Sequence, residues 1–423
     1  MSRTAVIRAT ARSDEATAEA MLTVFLADIF GIHPENLHIN HDQYSLNSLN
    51  GFFDADGAGY FFKFHQEEGE AEMRGEYYRA EILSRAGLPV DMPVLCSRQP
   101  GEQILVYRRR SDPRFSDVLR ALDLVPDAAT EARAIAAEAG LNEVLLQVAQ
   151  QSLSPITASD STAEPIHRLF HARLIDPATG RWPGGRYASF YHGQPFVLPG
   201  CTLAWDEIAG ARIILNGLEY RQTLGELFRR AHERLAPERL ADAGGIVAHG
   251  DAHNANVWYE RGVAADRLVL FDPAFAGEHV PSLLAEIKST FHNTLAHPFW
   301  LYDSQMVAGR YHITARHADG RLHLDTDWSP GPLREGLLAA KADRYWRPWL
   351  ATLAARGLLP GGWEEVMRLA LFLCPTLVMN LRAGADRHTP QSSALGLFVA
   401  IMAATRPIAG ADRMTAFFER IRP

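Results

Sequence analysis

Hydrophobic and polar positions change period twice in the first quarter of the chain. Residues 14–30 carry apolar side chains at helical spacing, behind Ser13 as a candidate N-cap and before Gly31 as a stop. From Leu37 to His65 the period becomes two, and a DADGAG turn separates the last two apolar runs. The pattern therefore predicts one helix followed by three short antiparallel strands.

The pattern then returns to helix, to strands and to helix again. A charged amphipathic helix is predicted over residues 67–87, and two strands about a PGE turn over 88–110. Beyond residue 112 the chain is mainly helical in pattern, except in 153–218, where proline, glycine and aromatic clusters predict either an irregular region or a substrate-specific insert. The helical stretches are 115–152, 219–240, 281–297, 333–356 and 362–382.

This order of elements predicts an α+β fold with two lobes. Residues 1–108 are expected to form an N-terminal lobe with an antiparallel sheet, and residues 109–423 a mainly helical C-terminal lobe. The change of composition near residues 108–113 sets the boundary. At 423 residues the chain is long enough for two cores.

Composition excludes several classes of protein. The formal net charge of −8 argues against a general nucleic-acid surface, and no apolar run reaches the ~20 residues of a membrane span. Three distant cysteines, Cys96, Cys201 and Cys374, argue against a disulfide framework. We therefore expect a cytoplasmic monomer or homodimer that binds neither nucleic acid nor membrane.

Chemistry-bearing residues concentrate in the segment HGDAHNANV, residues 249–257. His249, Asp251 and His253 have the spacing of a metal site, which would make the chain a metal-dependent hydrolase. The remaining histidines are scattered without a second H-x-H pair, and two imidazoles alone do not close such a site. The metal-dependent hydrolase is therefore the weaker of two hypotheses.

The same segment also fits phosphoryl transfer. That chemistry needs an Asp to accept the proton of an incoming hydroxyl, an Asn five residues later, and a second Asp after a buried strand, the last two to hold divalent ions. Asp251, Asn256 and Asp272 follow this order. The apolar runs VWY and RLVLF, on either side of ERGVAADR, predict a hairpin that brings the three residues together.

H-G-D-x-H-x-x-N, followed by a strand and F-D-P, resembles the catalytic segment of the aminoglycoside phosphotransferase and choline kinase family, relatives of the protein kinases. The resemblance implies a protein-kinase-like fold with ATP in the cleft and Mg²⁺ beside the phosphates. It implies that Asp251 is the catalytic base, that Asn256 and Asp272 are metal ligands, and that His249 and His253 are scaffold residues. The implied activity is ATP-dependent transfer of the γ-phosphate to a hydroxyl of a small molecule, such as an antibiotic, an amino sugar, a choline-like compound or another metabolite.

The same family places a phosphate-binding Lys on the third strand and its Glu partner on the next helix. Lys63, in YFFKFH, occupies the strand position, and a Lys among aromatic side chains needs an anionic partner. Glu76 is the implied partner, with Glu72 and Glu81 as alternatives on neighbouring faces of the helix.

Two further nucleotide contacts are expected in this lobe. Ser45, Asn47 and Ser48 lie between the first two strands, where a loop covers the phosphates in the family. The segment has no G-x-G-x-x-G, and a polar hairpin turn is the alternative interpretation. Backbone groups near Val106 to Arg108, at the end of the last strand, are expected to hold the adenine.

One position departs from the family pattern. Leu283 stands where the family has the Asp of a D-L-A sequence, which braces the catalytic loop. The brace is then expected from Ser282 or Glu286. This departure and the missing glycine loop motivate one more alternative, a nucleotide-binding pseudokinase or regulatory protein.

Nothing in the sequence names the hydroxyl acceptor. Residues 153–218 and the helical C-terminal third are expected to shape its pocket.

Overall fold

A computed structural model describes residues 2–40, 48–65, 79–97, 99, 101–296 and 298–423. Two helices, α1 (Arg3–Ala11) and α2 (Glu15–Phe30), precede the first sheet. Asp14, not the predicted Ser13, caps α2, because its carboxylate accepts from Thr17 N at 3.1 Å. Gly31 ends the helix with φ +67°, as the sequence predicts.

Within the described residues, five strands form one antiparallel sheet in the order β1-β2-β3-β5-β4. The strands are β1 (Glu35–Ile39), β2 (Ser48–Ala55), β3 (Ala58–His65), β4 (Leu95–Ser97) and β5 (Ile104–Arg108). Asp56 and Gly57 join β2 to β3 with φ values of +49° and +71°, the geometry of a two-residue hairpin turn. The DADGAG signal therefore places Lys63 on a central strand.

A helix, α3 (79–85), lies between β3 and β4 in the chain. Residues 89–91 then run beside a strand of the second lobe, since Asp91 N donates to Leu270 O and Leu270 N donates to Pro89 O, both at 2.7 Å. The first lobe is thereby fixed to the hairpin that carries the predicted catalytic residues.

Helices dominate the remainder of the chain. In chain order they are α4 (Phe115–Leu124), α5 (Ala128–Ser152), α6 (Ala158–Ala163), α7 (Gly185–Tyr191), α8 (Trp205–Gly210), α9 (Leu224–Arg234), α10 (Ile287–Thr294), α11 (Gly331–Lys341), α12 (Arg347–Ala355), α13 (Trp363–Val378), α14 (Pro390–Ala404) and α15 (Arg413–Ile421). The predicted stretch 115–152 is two helices rather than one, because Pro126 interrupts it and Asp127 starts α5 by accepting from Thr130 N at 2.8 Å.

Short strands lie between these helices. They are β6 (Pro195–Leu198), β7 (Cys201–Ala204), β8 (Arg212–Leu215), β9 (Leu218–Glu219), β10 (Gly245–Ala248), β11 (Val257–Glu260), β12 (Arg267–Leu270), β13 (Gly277–Pro281), β14 (Ile313–Ala318) and β15 (Arg321–Thr326). The sequence pattern does not predict the sheet β14-β15-β8-β9, in which β15 and β8 pair in parallel across more than 100 residues.

The predicted fold class is confirmed: an antiparallel sheet precedes a mainly helical region. The largest apolar core lies in that second region, around α5, α10, α13 and α14, and a smaller one joins α1 and α2 to the first sheet. In the described parts of the chain, no helix has the length and hydropathy needed to cross a membrane.

Candidate functional site

The segment HGD forms a tight turn after β10. Gly250 has φ +76°, and a Cβ added there would lie 2.6 Å from the carbonyl oxygen of Phe275. Only glycine fits here, because it adopts a positive φ without strain and has no Cβ to meet that oxygen. This close approach joins the loop of Asp251 to the D-P-A-F segment that begins at Asp272.

Both histidines of the segment are used inside the loop. His249 Nε2 donates to Phe271 O at 2.9 Å, and its Nδ1 accepts from Asp251 N at 3.3 Å. His253 Nδ1 accepts from Ala255 N at 3.2 Å. The described residues contain no group of three or more His, Cys, Asp or Glu side chains that could hold a metal ion. The arrangement matches the scaffold role and gives the metal-dependent hydrolase no support.

Asp251 is buried beside a cation. Its side chain is 12% exposed, and Oδ1 lies 3.6 Å from Lys288 Nζ and 3.7 Å from His253 Nε2. Desolvation lowers the pKa of His253 to about 4, so this imidazole is neutral near pH 7. The cationic side chain beside Asp251 is therefore Lys288.

Lys288 lies on α10, one helical turn before His292. Its Nζ donates to His292 Nε2 at 3.0 Å, and His292 Nδ1 lies 2.7 Å from Tyr302 Oη. Burial, and then the Lys288 charge, lower the pKa of His292. The neutral ring accepts at Nε2 and so donates from Nδ1 to Tyr302. The sequence analysis missed this chain, although an ionisable pair four residues apart in IKSTFHNT is a signal for one helix face.

Asn256 and Asp272 lie at the two ends of the β11–β12 hairpin, as predicted. Asn256 Nδ2 donates to Asp251 O at 3.0 Å, so its Oδ1 is the atom left for a cation. Asp272 has φ +55°, a strained conformation for a residue other than glycine. Phe271 N donates to Asn256 O at 3.0 Å, which holds the two ends of the hairpin together.

Lys63 reaches this hairpin from the first sheet. Its Nζ lies 3.1 Å from Asp272 Oδ1, although 209 residues separate the two in sequence. The Lys63 side chain is 14% exposed and that of Asp272 is 43% exposed. The structure thus brings Lys63, Asp251, Asn256 and Asp272 into one region between the two parts of the chain.

Several predicted nucleotide contacts fall outside what the structure describes. Ser45, Asn47, Glu72 and Glu76 lie outside the described residues, and Ser48 is described only as the first residue of β2.

Glu81 lies on α3 and is half-buried. In the described portion of the chain, no ion pair joins it to Lys63.

Val106 and Arg108 occupy β5. Val106 is fully buried, and its carbonyl oxygen accepts from Val94 N at 2.8 Å, so that oxygen is already used by the sheet. The Arg108 guanidinium is exposed and lies 4.7 Å from the centre of the Tyr60 ring.

The brace of the catalytic loop differs from the expectation. Ser282 Oγ donates to Ala243 O at 2.7 Å and does not contact the loop. Instead, Asn293 Oδ1 accepts from Asn254 N at 2.8 Å. Leu283, which stands at the family's Asp position, is 2% exposed and lies in the apolar core. The brace therefore comes from α10, about ten residues later than predicted.

Glu286 belongs to a different group, which we call the closed cluster: Glu138, Asn142, Glu286 and Lys341. Lys341 Nζ lies 3.1 Å from Glu286 Oε2 and 3.5 Å from Glu138 Oε1, and it also donates to Asn142. Each of these side chains is at most 3% exposed.

The closed cluster reaches the catalytic loop through Asn293. Its Nδ2 lies 3.3 Å from Glu138 Oε1, and its carbonyl oxygen accepts from Arg334 Nη1 at 2.8 Å. Arg334 in turn pairs with Asp123 at 2.5 Å. The position of the loop is thus fixed by buried charges on α4, α5, α10 and α11.

Sequence comparisons return neither a matching family model nor a matching curated protein. Among solved structures, the chain is similar to a thermostable mutant of aminoglycoside phosphotransferase APH(4)-Ia in a ternary complex with ADP and hygromycin B. The identity is 14% and the TM-score 0.45, over 90% of this chain and 97% of that one. It is also similar to spectinomycin phosphotransferase APH(9)-Ia in complex with ADP and spectinomycin, with 10% identity and a TM-score of 0.38 over 90% and 98% of the chains. For aminoglycoside phosphotransferase APH(3'')-Id from Streptomyces rimosus, the values are 14% and 0.33 over 68% and 90%.

Proposed function

We propose that this protein is an ATP-dependent phosphotransferase that moves the γ-phosphate to a hydroxyl of a small molecule. The observation that carries the proposal is the meeting of Lys63 with Asp272, 3.1 Å apart, beside the loop of Asp251 and Asn256. An ammonium and a carboxylate, here 209 residues apart in sequence, are the two groups that a triphosphate with its cation needs on either side.

The residues present fit a magnesium ion. Mg²⁺ prefers oxygen ligands and retains several waters, and is typically held by one or two protein side chains together with substrate phosphates. Asp272 and the Oδ1 atom of Asn256 would hold it. When bound, Mg²⁺ neutralises charge on the phosphates.

The protein's own side chains supply the rest of the chemistry. Lys63 binds phosphate oxygens as a point charge, and the Asp251 carboxylate accepts the proton of the incoming hydroxyl while it orients that oxygen. Positioning of this kind, rather than covalent chemistry, supplies most of the rate enhancement in phosphoryl transfer.

Residues 1–108 are proposed as the nucleotide-binding lobe and residues 109–423 as the lobe of the catalytic loop and the acceptor. Ser45, Asn47, Ser48 and Glu76 remain proposed nucleotide contacts. The backbone near Arg108 remains the proposed adenine site.

Asp251→Asn tests the function. The substitution keeps the size of the side chain and removes its basicity, so ATP-dependent ADP release should fall by about 10²–10⁴-fold. Binding of a fluorescent ATP analogue with Mg²⁺ should stay within about twofold, because Lys63 and Asp272 are untouched. Both quantities are measured over a panel of hydroxyl-bearing acceptors and with water.

Asp319→Asn is the matched control, since Asp319 lies in the β14–β15 turn with φ +50°, a conformation that Asn also adopts. Near-normal turnover by Asp251→Asn would refute the catalytic role. Nucleotide binding without any Asp251-dependent turnover would identify a pseudokinase instead.

A further inference from the structure

Two arginines meet at the C-terminal end of α13. Arg173 ends the turn His171–Arg173, and Arg186 lies in α7, so both come from region 153–218. Arg173 Nη1 donates to Leu377 O at 3.2 Å, and Arg186 Nη1 donates to the same oxygen at 2.9 Å. Two guanidinium groups therefore share one carbonyl. We call them the arginine pair.

Among the residues that the structure describes, the arginine pair has no carboxylate partner, since neither guanidinium takes part in an ion pair. Desolvation, followed by repulsion from Arg186, lowers the pKa of Arg173 to about 10. Arg173 is half-buried, whereas Arg186 is exposed. The Arg173 charge is therefore partly desolvated beside a like charge, which costs free energy unless an anion compensates it.

Two other arginines do pair with carboxylates of α13. Arg230 pairs with Glu365, and Arg368 pairs with Glu364 at 2.8 Å. The arginine pair contacts the backbone of the same helix instead.

Arg173 interacts electrostatically with the residues around Asp251. The Asp251 carboxylate favours the charged form of Arg173, and the Arg173 charge disfavours protonation of His292, the neighbour of Lys288. Lys288 itself lies 3.6 Å from Asp251. Asp251 therefore has two cations in its electrostatic surroundings, and an acceptor that presents its hydroxyl to Asp251 approaches them.

We propose that the arginine pair binds a carboxylate or phosphate group of the acceptor, so that the hydroxyl substrate is an anionic small molecule. The proposal rests on the proposed phosphotransferase function and names its substrate class. Guanidinium groups bind such anions through paired, charge-assisted hydrogen bonds. A polycationic acceptor would instead meet like charge, which disfavours its binding.

The experiment measures anion binding separately from turnover. The melting temperature of the full chain, saturated with Mg²⁺ and a non-hydrolysable ATP analogue, is recorded with millimolar inorganic phosphate, gluconate, glucose or glucosamine. Phosphate and gluconate should raise it by a few degrees, since a ligand at 100 times its Kd stabilises by about 2.7 kcal/mol. Glucose and glucosamine should produce no shift.

Variants assign the effect to the arginine pair. Arg173→Gln and Arg186→Gln, singly and together, should remove the anion-dependent shift. Arg181→Gln makes the same change of charge at an exposed position of the same region and should retain it.

Acceptor turnover gives the second readout. ADP release is compared for gluconate, glucose 6-phosphate, glucose and glucosamine, and the KM of an anionic acceptor should rise at least tenfold in Arg173→Gln while the KM for ATP stays unchanged.

The outcomes separate the two proposals. An absent anion shift, an equal shift in the double variant, or a shift produced only by glucosamine would each overturn the anionic acceptor. Loss of the shift caused by Mg²⁺ and the ATP analogue, with the phosphate shift intact, would instead overturn the phosphotransferase.

Discussion

Two groups of charges near the catalytic loop differ in how they are compensated. In the closed cluster, the Lys341 ammonium lies between the Glu138 and Glu286 carboxylates, at 3.5 and 3.1 Å. In the arginine pair, two cations share a backbone carbonyl at 3.2 and 2.9 Å. The first group has its counter-ions within the fold, and the second has none in the part of the chain that the structure describes.

The difference separates structural charge from binding charge. A buried charge that the fold itself neutralises fixes the elements around it, here α5, α10 and α11 around the brace at Asn293. A charge left without a counter-ion is costly in the free protein and becomes favourable only with a ligand of opposite sign. Substitutions in the closed cluster should therefore mainly lower stability, whereas substitutions in the arginine pair should mainly weaken binding of the acceptor.

The largest effect on stability is expected from Lys341→Met. The variant leaves Glu138 and Glu286 buried without their cation, which should lower the free energy of unfolding by about 3–5 kcal/mol. Urea unfolding followed by circular dichroism measures it. Arg344→Met is the control, because its ion pair with Glu143 is 59% and 57% exposed and should contribute at most about 1 kcal/mol. Equal losses in the two variants would remove the distinction between closed and exposed charges.

Lys288→Met should affect catalysis more than stability. Lys288 Nζ lies 3.6 Å from the Asp251 carboxylate, and Lys288 belongs to neither group, so its loss removes a positive charge beside the proposed catalytic base. We expect kcat to fall by about 10²-fold, the effect of a catalytic group misplaced by about 1 Å, with the KM for ATP nearly unchanged. Steady-state kinetics with Mg²⁺ and ATP measure both. A variant with full kcat would show that Lys288 only fills space.

The smallest effect is expected from Arg186→Gln without ligand. Removing one of two like charges relieves repulsion and loses contacts with the carbonyls of Leu377 and Val378 at 2.9 and 3.0 Å. These effects oppose one another, so the free energy of unfolding should change by about 1 kcal/mol or less. The same denaturant measurement, without phosphate, tests this. A loss of 3 kcal/mol or more would show that Arg186 is structural, like Lys341.

Local patterns in the sequence determined much of the fold and the centre of the site. The Asp56–Gly57 turn set the β2–β3 register that places Lys63, and the apolar runs around ERGVAADR gave the hairpin of Asn256 and Asp272. Residues close together in sequence specify such features through turn conformation and alternation, and these do not depend on distant parts of the chain.

Other features followed a signal that the sequence analysis did not use. The β14–β15 hairpin turns at Asp319 and Gly320, with φ values of +50° and +68°, so the dipeptide Asp-Gly marked it. No local sequence signal predicts the parallel pairing of β15 with β8, because this pairing joins segments more than 100 residues apart.

The sequence by itself determined the early sheet, the hairpin beside residues 249–257 and the helical character of the second region. Tertiary structure alone decided that Asn293 braces the loop, that Lys288 faces Asp251, and that Arg173 and Arg186 meet at Leu377. The physical reason is that a charged residue in a sequence does not reveal its counter-ion. Whether a charge is compensated depends on which distant helices pack together, and that packing is set by the apolar core rather than by the charges themselves.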